Sequence, residues 1–360
     1  TSAWVAFFCS PPNGLKHIRN RCARTLDLFS WRGDYSEELL PGTKSDVVKM
    51  KTMTNKLLLF APLFLLLSGS CGSSADVEID TPTRGKITMA VDENVQSLAE
   101  ELVDVFETSY PDAFLMTSFK SEAEVINDLY NDSSQLAIMT RRLNADERKY
   151  FESLKYGIEE IKIGYDAIVF IINTENGDTA FSRATLKKML TGNDSLWSQI
   201  SPDSKMGRID VVFDNGASSN LRFLTDSLLG GEKPGKNVFA VSNADSVIDY
   251  VSRNPGAIGV IGLNAIGDND SEEAKARKDK IRVCAAGQDT LAAYTPSQSA
   301  IVTRKYPFVR EIWIVKIGKR VGLGTGFASF ALSERGQLIV QRAGLAPAVP
   351  AERKIELTTY

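Results

Sequence analysis

Short apolar runs rich in β-branched residues alternate with amphipathic helical patterns along most of this chain, and that alternation limits the folds open to it. Lys86–Val91, Phe114–Phe119 and Leu136–Thr140 read as strands. Gln96–Tyr110, Glu122–Asn131 and Ala145–Leu154 read as helices, the first with Leu98, Leu102, Val105 and Phe106 on one face. The long apolar stretch Ile158–Ile172 is expected to break near Asp166. A second unit follows, with short helices at Leu186–Leu190 and Leu196–Ile200, a strand ending at Phe213, a helix at Asp245–Arg253, and strands at Ala257–Ile261 and Ile281–Ala285. The chain then gives a strand at Glu311–Ile317 and helical patterns at Gly326–Leu332 and Gly336–Ala343. Such an order predicts an α/β fold, a mostly parallel sheet with helices on both faces. Two β/α units invite a cleft, with ligand beyond the C-terminal ends of the strands.

The stretch FDNGASSNLRFL, Phe213–Leu224, carries the most specific local signal. A strand ends, Asn215, Gly216 and Ala217 make a turn, and Ser218 and Ser219 are N-cap residues for a helix. The first N–H groups of a helix have no helical partner and carry partial positive charge, so such a turn can hold an anion. The same residues equally describe an ordinary cap leading into a packing helix. Three other strand ends resemble this one: Asp92-Glu93-Asn94, Lys120-Ser121-Glu122 and Thr140-Arg141-Arg142. Together on one sheet edge they would form a cup rich in donors, suited to a small tetrahedral oxyanion. Arg141 is expected to supply its charge, and Arg142 to be a surface residue. Asp214, with Asp92 in reserve, is the candidate acceptor for a proton carried by the ligand.

Other chemistry is poorly represented. Gly322-Leu323-Gly324-Thr325-Gly326 has the spacing GxGxG, and reads as a turn that lets a helix pack closely. There is no GxSxG or HExxH motif, and the one histidine is His17. Acidic residues outnumber basic ones by 45 to 42, and by more once the first 71 residues are set aside. That balance argues against nucleic acid and anionic membrane surfaces as partners.

The N-terminal part reads as an export address. Lys51 and Lys56 precede the apolar run Leu57–Leu67, and Ser68-Gly69-Ser70 lead to Cys71. The run falls short of the roughly 20 apolar residues that span a bilayer. Small residues before a cysteine suggest a lipoprotein signal over 50–70, with Cys71 the lipidated first residue. Residues 1–49 are then expected to lie outside the working protein. Gly72–Arg84 reads as a polar tether, within a tether region of 71–84 and with a reach of about 20 Å. Cys284 lies in an apolar run and reads as a buried free thiol.

From Gly85 to Glu356 the chain resembles the phosphate-binding receptors of bacterial phosphate ABC importers. The matching segments include ITMAVDENVQSL, FKSEAEVINDLYND, LAIMTRRL, YDAIVFIIN, FDNGASSNLRFL, NPGAIGVIG, KYPFVREIWI, GLGTGFASF and GQLIVQRAGLAPAVP. The resemblance implies a two-domain periplasmic-binding-protein fold of type II that closes on its ligand. Domain I would comprise 85–165 plus 295–360, and domain II 166–294. It implies a monomeric, membrane-anchored periplasmic lipoprotein that binds inorganic phosphate for an ABC permease, with no catalysis and no cofactor. The family's ligand contacts fall on Asn94, Ser121, Thr140 with Arg141, and Ser218, Ser219 and Asn220. Two departures stand out. The family's SGT turn reads Ser-Ser-Asn, and the usual charge pair is exchanged, with Arg141 and Asp214 at opposite places. Another tetrahedral oxyanion such as sulfate or molybdate, a phosphohydrolase, and a sensory lipoprotein of the same fold are the alternative readings.

Overall fold

Three parallel strands whose C-terminal ends lie level with one another organise the first half of the protein. The computed structural model describes residues 80–318 and 321–349. The expectations for residues 1–49, for the signal 50–70, for Cys71 and for most of the tether concern residues outside this range. Strands β1 (Gly85–Asp92) and β2 (Ala113–Lys120) pair in parallel over their whole length, and β3 (Leu136–Met139) pairs with β1 on its other side. In the register Asp92 lies opposite Lys120 and Val91 opposite Ile138, so all three strands end at one edge.

The stretch from Ile158 does not break at Asp166. It forms a single strand, β4 (Ile158–Asn173), of 16 residues. The remaining strands are β5 (Ala180–Ser182), β6 (Asp210–Phe213), β7 (Val238–Ala240), β8 (Ala257–Gly262), β9 (Ile281–Val283), β10 (Ala285–Gly287), β11 (Val309–Ile317) and β12 (Ala346–Pro347). The main sheet runs β2-β1-β3-β11-β4-β8-β6-β7, with β9 and β12 also on β4, while β5 and β10 form a separate pair. Residues up to Ala167 of β4 pair with β11, and Ile168–Ile172 pair with β8. One strand therefore belongs to both halves. β4 runs antiparallel to β8 and β11, so the sheet is mixed, with parallel sets on either side of an antiparallel centre. A strand that carries the chain from one half to the other, and one that returns it, need not share the direction of the βα units.

Successive residues on these strands face opposite sides. Met89, Val91, Leu136 and Ile138 join one core, together with the helix Gln96–Ser109 through Leu98, Leu102 and Phe106. Ala90, Ala137 and Met139 join another, with Val125 and Leu129 of the helix Glu122–Tyr130 and Phe151 of Ala145–Ser153. Helices thus cover both faces of the first half. Phe106 also meets Phe327 edge-on at 5.4 Å, tying that helix to Leu323–Leu332. The glycines expected to form a turn before this helix instead form its N-cap, Gly322, and its first turn, and they let the helix pack closely. A Cβ at Gly326 would fall 1.7 Å from the backbone oxygen of Pro82.

Some local expectations change. Leu196–Ile200 contains only the 3-10 turn Trp197–Gln199. The run from Ile281 is interrupted at Cys284, so β9 and β10 belong to different sheets. Cys284 is a buried free thiol, and burial pushes its pKa well up. The helix that starts at Ser219 runs to Leu224 and widens into a π turn, Thr225–Leu229, closed by Gly230 in the left-handed region at φ 63°.

Candidate functional site

Each parallel strand of the first half delivers its polar end residue to the same edge, and β6 does so for the second. Asp92 ends β1 and is fully buried. Its Oδ1 accepts from the backbone N–H of Asn94 at 3.1 Å, and its Oδ2 from the Thr140 hydroxyl at 3.1 Å. The cap at Asp92 is what turns Asn94 back over the strand ends. In the second half, Ser218 caps the helix Ser219–Leu224 through the Leu221 N–H, and Asp214 follows β6.

Side chains from the two halves then meet. Asn94 Nδ2 donates to Ser219 Oγ at 3.2 Å, and Asn220 Nδ2 donates to Asn94 Oδ1 at 2.6 Å and to Asp214 Oδ2 at 3.2 Å. Arg310 of β11 enters the same cluster. Its Nη1 donates to Ser219 Oγ at 3.0 Å, while Nε and Nη2 both donate to Asp166 Oδ2, at 2.8 and 2.6 Å. Asp166 and Arg310 lie directly opposite on β4 and β11, with side chains 0% and 1% exposed. The end of β8 closes over them. A Cβ on Gly262 would approach Arg310 Nη2 to 3.0 Å and Asp166 Oδ2 to 3.3 Å.

The structure thus gathers Asn94, Thr140, Asp214, Ser219 and Asn220 into one connected network, with Ser218 as its cap. Ser121 stands apart, its hydroxyl donating to Glu124 Oε2 at 2.6 Å in a capping box. Arg141 differs from expectation. Its guanidinium bridges Glu147, at 2.7 and 2.8 Å, and Glu122 at 2.7 Å. Two carboxylates from two helices orient it, and it reaches the network only through Glu122, whose Oε2 accepts from the Thr140 hydroxyl at 3.5 Å, while the guanidinium that bonds Ser219 directly is that of Arg310. Arg142 is the more exposed neighbour, paired with Glu160 and set over Trp313 at 5.0 Å.

Asp166 and Arg310 were absent from the sequence-based set, yet both left a trace. Asp166 heads the uninterrupted apolar run Ala167–Ile172, and Arg310 stands beside Glu311 near the start of β11, and a charge that such a strand buries needs a partner.

Three buried oxygens of the network, Asp166 Oδ1, Asp214 Oδ1 and Asn220 Oδ1, have no hydrogen-bond donor. Burial pushes the carboxyl pKa of Asp214 up, against the opposing pull of Ser218 and Asn94. Burial likewise raises that of Asp92, against Arg310. The cluster therefore offers N–H and O–H donors, one guanidinium and spare acceptors, all out of water. Among the described residues no three His, Cys, Asp or Glu side chains are grouped so as to hold a metal. A cavity of about 220 Å³ opens beside Asn94 and Asp214. A larger one, about 700 Å³, surrounds Gly85 and Lys86 at the opposite end of β1, away from this chemistry.

Comparison with known proteins places these features in context. Residues 76–335 match the model of the PBP superfamily domain. The chain is 28% identical over 227 residues to the phosphate-binding protein PstS of Borreliella burgdorferi, covering 61% of this chain and 74% of that one. A Clostridium perfringens protein assigned as a phosphate ABC transporter substrate-binding protein, solved with bound phosphate, superposes with a TM-score of 0.61 at 19% identity. It is matched over 74% of this chain and 100% of that one. An ABC-type phosphate transport receptor from Vibrio cholerae gives 0.57 at 16% identity, over 72% of this chain and 99% of the receptor. At these identities the two structural likenesses are likenesses of fold.

Proposed function

The chain belongs to the PBP superfamily, and from that premise we propose that it captures inorganic phosphate outside the cytoplasm and delivers it to an ABC import permease. The observation that carries the reading is the buried network built from both halves, Asn94 with Ser219, Asn220, Asp214 and Arg310. Phosphate near neutral pH is an anion that keeps at least one proton, so it accepts and donates together. Arg310, Ser219 and the two amides supply donors, and Asp214 Oδ1 or Asp166 Oδ1 accepts the ligand's proton. Sulfate has no proton to give and leaves a buried acceptor facing an anion. In this site Thr140, Ser121 and Ser218 act through the strand ends and helix caps that shape the cup. Arg310 takes the charged role first assigned to Arg141.

Residues 85–165 with 295–360 form domain I and 166–294 domain II, and the molecule closes by bending where β4 passes from β11 to β8, at Ala167 and Ile168. The protein works as a monomer held at the membrane by lipid on Cys71, and it performs no reaction. Calorimetric titration tests the ligand. Phosphate should bind at least about tenfold more tightly than sulfate, and Asp214→Asn should narrow that gap because an amide can donate to either ion. Equal affinities in the wild type, or no phosphate binding, would overturn the reading.

A further inference from the structure

Glu122 is the first residue of the helix after β2, and its side chain is 5% exposed. It receives Arg141 from its own half, and from the other half it receives the fork of Arg222, through Nε at 2.6 Å and Nη2 at 3.0 Å. Arg222 lies one turn beyond Ser219 on the same helix, so it borders the cup while its guanidinium is committed elsewhere. A bidentate guanidinium–carboxylate pair combines charge with fixed geometry. Apart from Arg310–Asp166, which joins neighbouring strands at the crossing itself, the other side-chain bonds between the halves, such as Asn215 to Glu93 at 2.9 Å, involve at most one charge, with one exposed exception. That exception, the ion pair Arg342–Asp270, is long at 3.8 Å and widely exposed, with side chains 62% and 75% accessible. Such a pair contributes little.

Both partners also have somewhere to go when the halves part. Glu122 keeps Arg141. Arg222 keeps Asp226 on its own helix, at 3.4 Å, and its side chain is already 29% exposed. Opening therefore strands neither charge in a dry interior, which is the condition for a contact that breaks and re-forms. We infer that Glu122 and Arg222 form a latch between the two halves, a pair of positioning residues that set how long the closed form lasts without touching the ligand. This rests on the phosphate reading only for its kinetic readout.

The test compares wild type with Arg222→Ala, Glu122→Gln, the double variant and Arg222→Lys. Release of labelled inorganic phosphate should speed up about tenfold or more in each single variant, with association changed less than about threefold. The double variant should release no faster than the worse single one, and Arg222→Lys, which keeps the charge but loses the fork, should fall between. Small-angle scattering without phosphate should show a larger radius of gyration for Arg222→Ala than for wild type. Unchanged release, slowed association of the same size, or additive losses in the double variant would overturn the latch. If wild type binds no phosphate, the ligand assignment falls, and the scattering comparison alone decides the latch, an unchanged radius refuting it.

Discussion

Replacing Arg310 by Met separates what the buried pair does for the fold from what it does for the ligand. Arg310 makes two bonds to Asp166 and one to Ser219. With side chains 1% and 0% exposed, neither partner can turn to water. Removing the cation leaves the Asp166 carboxylate uncompensated, a loss of about 3–5 kcal/mol for a buried pair broken on one side. At roughly 2–4 °C per kcal/mol for a body of this size, the melting temperature should fall by about 6–20 °C. Phosphate should lose a charged hydrogen bond as well, about 1.5–3 kcal/mol, or roughly 10- to 150-fold in affinity. The double replacement Arg310→Met with Asp166→Leu distinguishes the two effects. Both charges are then gone, so urea unfolding should return to within about 2 kcal/mol of wild type, because apolar groups of similar volume can stand in for a buried ion pair. Binding measured by calorimetry should stay lost. If Arg310→Met costs less than about 1 kcal/mol, the pair is not buried as described. If the double variant binds phosphate like wild type, the guanidinium is not part of the site.

Arg141→Ala should act mainly on the fold. It strips a partner from Glu122 and Glu147, whose side chains are 5% and 8% exposed, and should cost about 1–3 kcal/mol in urea unfolding while weakening phosphate less than Arg310→Met does. A larger binding loss than at Arg310 would return the ligand's charge to Arg141. Asp214→Asn should stabilise the free protein at neutral pH. The raised pKa of Asp214 means that its favourable contribution is complete below the ordinary value of 3.8 and is lost as pH rises through the folded value. The advantage of the Asn form should therefore be small at low pH and grow toward neutrality, and a difference independent of pH would refute the burial argument.

The strand ends were readable because their chemistry is local. Asp92, Asp214 and Ser218 each follow an apolar run or cap a helix, and a cap is written within three or four residues. Asp166 misled for the opposite reason. A charge in the middle of an apolar stretch looks like a break, and its partner Arg310 lies 144 positions away. No local pattern reports such a pairing, because both strands carry other charges, Glu159, Glu160 and Lys162 on β4 and Glu311 and Lys316 on β11. Arg141 shows a different limit. Its place after β3 was legible, but the direction of its side chain depends on Glu122 and Glu147, which arrive on two other helices. The mixed direction of the sheet was likewise hidden, since periodicity identifies a strand and not its orientation.

The position of β11 has a consequence for the order of events when the chain is made. It inserts between β3 and β4, yet it is synthesised after all of β5–β10. Until Val309–Ile317 emerges, β3 and the first part of β4 each present an unpaired backbone edge. The β4 residues Ile168–Ile172 can meanwhile pair with β8, so the second half can assemble while the first waits. Long-range pairing of this kind is slow, and an open apolar edge is a template for wrong partners. A nascent chain halted before β11 is thus the state most in need of a chaperone, and the return of one strand completes the sheet on which Arg310 reaches Asp166.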